Sequence, residues 1–456
     1  MMTTAQQFAK SFAKGGGGGF GKATELKQRI IFTLGALLVF RLGSHIPLPG
    51  IDALALQELF ATQGQGILGM FDVFSGGALS RMTIFALSIL PFISASIIMQ
   101  LMSATVPSLE KLKKEGAAGY QRILQYTRQL TVVLALLQSY GVAAGLQAAE
   151  DIVVTPGLLF MTTSIITLTA GTIFLMWLAE QITQRGVGQG ASVIIFAGIL
   201  ANLPLAVVQV LELGRSGALS SFLIVTILIM VIVVVAFIVF IERAQRRVTV
   251  NYPKRQVGLN RMSGGETSHI PIKINVSGVI PPIFASALLL LPTTILNFMG
   301  QAGGDASWLQ WLNSFLGRGA VGHNIFYASL IAFFAFFYTA IVFNTNDTAD
   351  NLRKQGGIVL GYRPGEDTAK YFDYILSRIT VVGAIYLVVV CLLPEILISK
   401  YSLPFYLGGT SLLIVVSVTM DTITQVQGHL FAHQYENLLK KARMSGGGFD
   451  NFNFPR

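Results

Sequence analysis

Apolar stretches of about 20 residues, separated by short polar intervals, dominate the chain; a helix needs about that many to cross the hydrocarbon layer. Ten stretches qualify, at residues 29–47, 82–104, 130–149, 157–179, 190–211, 217–241, 274–299, 325–343, 379–398 and 401–420. Arg41 interrupts the first near its end. The segment 64–77 is apolar, Gly-rich and too short to cross, which predicts a re-entrant or capping segment on one side. The pattern predicts an all-α polytopic membrane protein with ten transmembrane helices. Ten spans place both termini on one side and can divide into two five-helix halves of opposite orientation, although no internal repeat marks the division.

Charge tests this topology, because Lys and Arg concentrate in cytoplasmic loops. Of 32 Lys and Arg, 27 fall in the tail 1–29, the loops 104–129, 180–189, 242–273 and 344–378, and the tail 421–456. The opposite side carries Arg41, Arg81, Arg215, Arg318 and Lys400. Both termini and the two large basic loops are therefore expected in the cytoplasm. The first 29 residues are polar with a glycine run at 15–19, which reads as a flexible tail rather than a signal peptide.

Composition agrees. Only 12% of the 456 residues are charged and 53% are hydrophobic, whereas a soluble domain carries about 25% charged residues. So few charges cannot coat a globular surface of this size. Cys391 is the only cysteine, so no intramolecular disulfide exists. The net charge of +10 suits nucleic acid, a ribosome or anionic lipid, and its position in the loops favours membrane topology as its cause.

Several chemical motifs dissolve on inspection. Gly16, Gly21 and Lys22 mimic a phosphate loop, but Ala23 replaces the Mg²⁺-binding hydroxyl and no strand precedes. His429 and His433 have metal-binding spacing with Glu436 close to the same face, yet Leu430 stands where a metalloprotease needs Glu; two ordinary histidines on a polar helix are expected, and no cofactor. Asn275-Val-Ser277 and Asn346-Asp-Thr348 match the glycosylation pattern but fall on the cytoplasmic side. The apolar cores are read as holding no Asp, Glu, Lys or Arg, with Arg41, Glu180, Glu242 and Asp421 near span ends. That counts against a proton-coupled pump.

Two features remain. Pro91 lies inside the second span and Pro281-Pro282 near the start of the seventh, where proline kinks or breaks helices. Ser88, Ser94, Ser96 and Gln100 accompany the first; Ser286, Thr293, Thr294 and Asn297 the second. Spans 2 and 7 read either as ordinary kinked helices or as movable walls. The basic loops are longer than topology needs. Loop 242–273 carries Arg243, Arg246, Arg247, Lys254, Arg255 and Arg261; loop 344–378 carries Arg353, Lys354, Arg363 and Lys370. A folded docking surface for an RNA-rich partner would suit them.

Specific motifs then give a resemblance. FRLGSHIPLPGID at 40–52, FSGGALSRMTIFALSILPFISASIIMQLM at 74–102, NYPKRQVG at 251–258, HIPIKINVSGVIPPIFA at 269–285, GYRPGEDTAKY at 361–371 and YLGGTSLLIVVSVTMD at 406–421 resemble the bacterial SecY family, the large subunits of the Sec protein-translocation channel. The likeness runs from about Glu25 to Lys441. AEQITQRGVGQG at 179–190 departs mildly from the family's pattern at Ala179, Val187 and Gln189.

The resemblance implies two pseudo-symmetric five-helix halves, 29–211 and 212–421, around an hourglass pore, with tails 1–28 and 422–456 in the cytoplasm. It implies a pore ring of Ile89, Ile93, Ile195, Ile283 and Ile414. Segment 64–77 is placed to be a plug, through Ile67, Leu68, Met70, Phe71, Val73 and Phe74. A lateral gate for signal sequences would lie between spans 2 and 7, at Pro91, Ser94, Gln100, Pro281, Pro282 and Ser286. Implied partners are SecE, SecG, the SecA motor ATPase or a ribosome, nascent polypeptides and membrane lipid. Docking would fall on Arg246, Lys254, Arg255, Arg261, Arg353 and Arg363. The chain itself would be no enzyme, and its membrane the bacterial plasma membrane. A secondary transporter of a small solute and an intramembrane enzyme are the competing classes. The first needs a convergent polar site at mid-membrane, the second a His/Asp/Glu or Ser/His constellation inside the spans; the spans show neither.

Overall fold

A computed structural model of the chain describes residues 24–52, 55–56, 72, 75–148, 152–216, 221–252, 255–256, 262–263, 267–289, 321–401 and 408–444. Its helices are α1 (Thr24–Gly43), α2 (Leu90–Thr105), α3 (Pro107–Lys114), α4 (Ala117–Ala148), α5 (Leu158–Arg185), α6 (Gly190–Arg215), α7 (Ser221–Arg243), α8 (Ile280–Leu289), α9 (Val321–Val342), α10 (Thr345–Gln355), α11 (Glu366–Tyr401) and α12 (Gly409–Met444). Each expected span coincides, wholly or in part, with one of them; the continuation of the seventh beyond Leu289 lies outside the described residues. Seven described helices are long and apolar enough to cross a membrane, or eight if α2 and α3 count as one bent span. The exception at the start is α1, which carries Glu25, Lys27, Arg29 and Arg41.

The prolines behave differently from expectation. The second helix starts at Leu90, not 82, so Pro91 occupies its first turn. Pro281 and Pro282 likewise fall in the first turn of α8. A proline there loses no hydrogen bond, because the first N–H groups of a helix have no intrahelical acceptor, and its fixed φ suits the helix. These prolines start helices rather than kink them. The sharp bend comes at Val106-Pro107, where α3 leaves α2 at 101°.

The basic loops fold as β structure that the helical spans did not announce. Strand β1 (Gln245–Asn251) pairs antiparallel with β4 (Thr267–Lys273) on one side and β5 (Ile358–Val359) on the other; β2 (Arg255–Gln256) and β3 (Met262–Ser263) make a separate small ladder. Val248 and Val250 alternate inward and pack with Ile272, Leu352, Val359 and Phe372 in a second apolar core. Pro271 is accommodated because β4 is an edge strand. Asn344 caps α10 by accepting from the Asn346 and Asp347 amides, and Gly356 ends it in the left-handed conformation.

Contacts gather the described residues of the six cationic segments at one end of the bundle. Arg128 grips Glu180 through two hydrogen bonds of 2.8 and 2.7 Å. The Val187 amide donates to Thr33, and Leu26, Val187, Val426 and Leu430 share a small apolar cluster. The Gly188 amide donates to Gln425, Lys273 approaches Asp421, and β1 joins β5. Charge had put these segments on one side, and the packing does the same.

Candidate functional site

The second helix is reached through tight turns rather than a smooth run of helix. Met82 and Ser88 have positive φ, +43° and +53°, a conformation costly for residues with a Cβ. The Leu48 amide donates to the Met82 carbonyl and the Ile84 amide to that of Ile46, which ties these turns to the exit of α1. The buried Ser88 hydroxyl has no hydrogen-bond partner. Strain and an unsatisfied polar atom therefore sit directly before Ile89, the residue that caps α2.

Ile89, Ile93, Ile195, Ile283 and Ile414 are all buried, and all belong to one continuous apolar cluster built by α2, α6, α8 and α12 among others. Ile89 and Ile93 are one turn apart, joined by the Ile93 N–H donating to the Ile89 carbonyl. Among the polar residues of spans 2 and 7, Ser94 and Ser286 are buried; Ser286 donates to the Ile283 carbonyl at 2.9 Å and Gln100 to Ser96 at 3.4 Å.

Ile67, Leu68, Met70, Phe71, Val73 and Phe74 lie outside the described residues, but the base of their segment does not. Asp72 accepts the Ser80 amide at 2.7 Å, and Asn202 of α6 reaches the Asp72 carbonyl at 3.5 Å. Arg41 and Arg81 both donate to the Gly76 carbonyl. Burial raises the Asp72 carboxyl above the ordinary aspartate value, against the opposing pull of Ser80 and Arg81. The segment's C-terminal base is thus tied to both α1 and α6.

On the sheet end, Arg246, Arg353 and Arg363 are exposed. Lys254 and Arg261 lie outside the described residues, and Arg255 is described only as part of β2. Tyr362 and Tyr371 stack at 4.1 Å beside Arg363.

One polar group was missed. Glu395, inside the ninth span, and His323, expected at a span end, are both buried, with Nε2 and Oε1 3.7 Å apart. His323 stacks on Tyr327, whose hydroxyl is 3.1 Å from that of Thr410. The Pro394-Glu395 pair within an apolar run was the available signal. Burial is tolerable because each group has a partner. Among the described residues no cluster of three metal ligands occurs.

The family model for SecY matches residues 83–423. The chain belongs to the SecY family. It is 51% identical over 426 residues to the protein translocase subunit SecY of Rickettsia typhi, covering 92% of this chain and 98% of that one. It is 50% identical over 439 residues to that of Escherichia coli K12, covering 96% and 97%. Two solved structures share the SecY fold at 16% identity, each covering 89% of this chain and 92% of the other: a protein-conducting channel, at a TM-score of 0.65, and Sec61 in a canine ribosome-channel complex from the endoplasmic reticulum, at 0.62. Of the positions that depart from the family pattern, Ala179 and Val187 are buried, and Gln189 stands at the N-cap position of α6 without a capping side-chain hydrogen bond.

Proposed function

We propose that this multi-pass membrane protein is the central subunit of a protein-conducting channel, which passes unfolded polypeptides across a membrane and releases apolar segments into it. The observation that carries the reading is half identity, over nearly the whole chain, to protein translocase subunits. That relationship displaces the small-solute transporter and the enzyme. The chain is a passive pore, driven by whatever docks on it.

The five isoleucines are the constriction. An apolar collar offers water and ions no hydrogen bonds, so a narrow ring closes by dewetting, and apolar contact adapts to any passing side chain. Their common burial in one cluster supports this. Segment 64–77 is the plug, and α2 with α8 the gate. The sheet end, carrying Arg246, Arg255, Arg353 and Arg363, faces the cytoplasm of a bacterium and, with Lys254 and Arg261 of the same loop sequence, receives the ribosome or SecA, with SecE and SecG as companion subunits. Residues 29–211 and 212–421 are the two halves of the clamshell.

The test replaces Ile89, Ile283 and Ile414 together with Asn. Conductance of the purified complex in planar bilayers rises, and export of a reporter with a defective signal rises about tenfold, the effect of about 1.4 kcal/mol on the gate equilibrium. A triple variant as ion-tight as the parent, exporting no more reporter, would place the pore elsewhere.

A further inference from the structure

The chain enters α8 through a short segment whose polar groups all turn inward. Asn275 and Ser277 are buried. The Asn275 amide nitrogen donates to Glu242 Oε1 at 2.7 Å and to the Gly278 carbonyl at 3.1 Å, while its oxygen accepts from Ser277 at 3.1 Å. One side chain therefore holds the end of α7 and shapes the turn that starts α8. Gly278, at φ +62°, permits that turn. Two residues earlier Lys273 approaches Asp421 of α12, and Ser417 of α12 faces the same Glu242 carboxylate. Beside Asn275, Gly383 of α11 lets the Ile274 carbonyl come within 3.0 Å of where a Cβ would stand. Beyond Gly278 come Pro281, Pro282 and the apolar, mostly buried residues of α8.

We propose that Asn275 and Glu242 form the pivot of the gate: a part-buried hydrogen bond that fixes the angle at which α8 leaves α7, and so sets how readily α8 swings away from α2. Asn275 is a positioning residue. It touches neither the polypeptide nor the ring, and acts through the start of the helix that carries Ile283 and Ser286. A bond at a helix start has leverage, because a small rotation there displaces the far end most. Asn275→Ala takes the 2.7 Å donor from the half-buried Glu242 carboxylate and the clasp from the Gly278 carbonyl, a penalty paid in the closed arrangement.

The inference rests on the reading of α2 and α8 as the gate, so the experiment separates the two. Spin labels go on Gln100→Cys of α2 and Leu288→Cys of α8, in a Cys391→Ala background, in the purified complex in nanodiscs. The distance distribution is recorded with and without a synthetic signal peptide. The parent shifts to longer distances when the peptide is added. Asn275→Ala shows that longer component without peptide, its ratio to the short one raised about tenfold. Glu242→Ala does the same, the double variant adds nothing further, and Glu242→Gln, which keeps the acceptor, behaves as the parent. Retained thermal stability and partner co-purification exclude misfolding, and Glu242→Ala carries the comparison should Asn275→Ala fail to assemble. A parent that shifts while both Ala variants match it overturns the pivot alone. A parent that does not shift overturns the gate and the pivot together.

Discussion

Asp72 holds a carboxylate in a place that favours its neutral form. Burial raises its pKa, and on the proposed reading of segment 64–77 as a plug facing the outer side, the raised value couples the pH there to the plug's position. The partly buried carboxyl takes a proton more readily than one exposed by movement of that segment. The anchored state therefore has its full stability below the ordinary aspartate pKa of about 3.9 and loses it as pH rises through the raised value. Acidifying the medium on that side is expected to hold the segment shut and lower ion leak. Asp72→Asn keeps an oxygen for the Ser80 amide and removes the charge. It should leak less than the parent at neutral pH and show no such pH response in bilayer recordings. A leak in the variant that still follows pH like the parent's would assign the response to another group.

At the scale of elements, spans of similar apolarity meet through different local chemistry. The α5–α6 junction depends on Gly190, whose amide donates to Thr183 at 2.9 Å and whose missing side chain leaves room for the Ala179 carbonyl. Gly190→Val must push the start of α6 off the α5 backbone. We expect a loss of about 1–3 kcal/mol, seen as a lower melting temperature of the detergent-purified protein. An unchanged melting temperature would mean that the junction relaxes freely. The prolines carry a related lesson. Pro91 and Pro281-Pro282 lie within long apolar runs, and hydropathy alone cannot tell a kinked helix from one that begins late. The turns over 78–89 decide the first case, through bonds to residues 46 and 48, far along the chain.

At the scale of the molecule, the cationic segments converge on one end, and that end should lie in the cytoplasm. A cysteine placed at exposed Arg246 of β1, in the Cys391→Ala background, is expected to resist a membrane-impermeant maleimide applied to intact cells and to react once the membrane is opened. Labelling from outside would invert the topology.

The sequence by itself determined the apolar spans and the family, and it set the expectation of which side each loop takes. These depend on local composition: twenty apolar residues must span, and lysines and arginines resist translocation wherever they sit along the chain. Motifs such as HIPIKINVSGVIPPIFA needed no tertiary information either. Only the tertiary structure decided that the basic loops close into a sheet with β5, because Val248 and Val250 find Leu352 and Phe372 only across a long separation in sequence. Only it brought five isoleucines from four helices into one cluster. It also showed that Glu395 and His323 are buried as partners, and that Asn275, in a discounted glycosylation pattern, grips Glu242. Each of these pairs residues that are distant along the chain, and a polar group's burial is acceptable only once its partner is known.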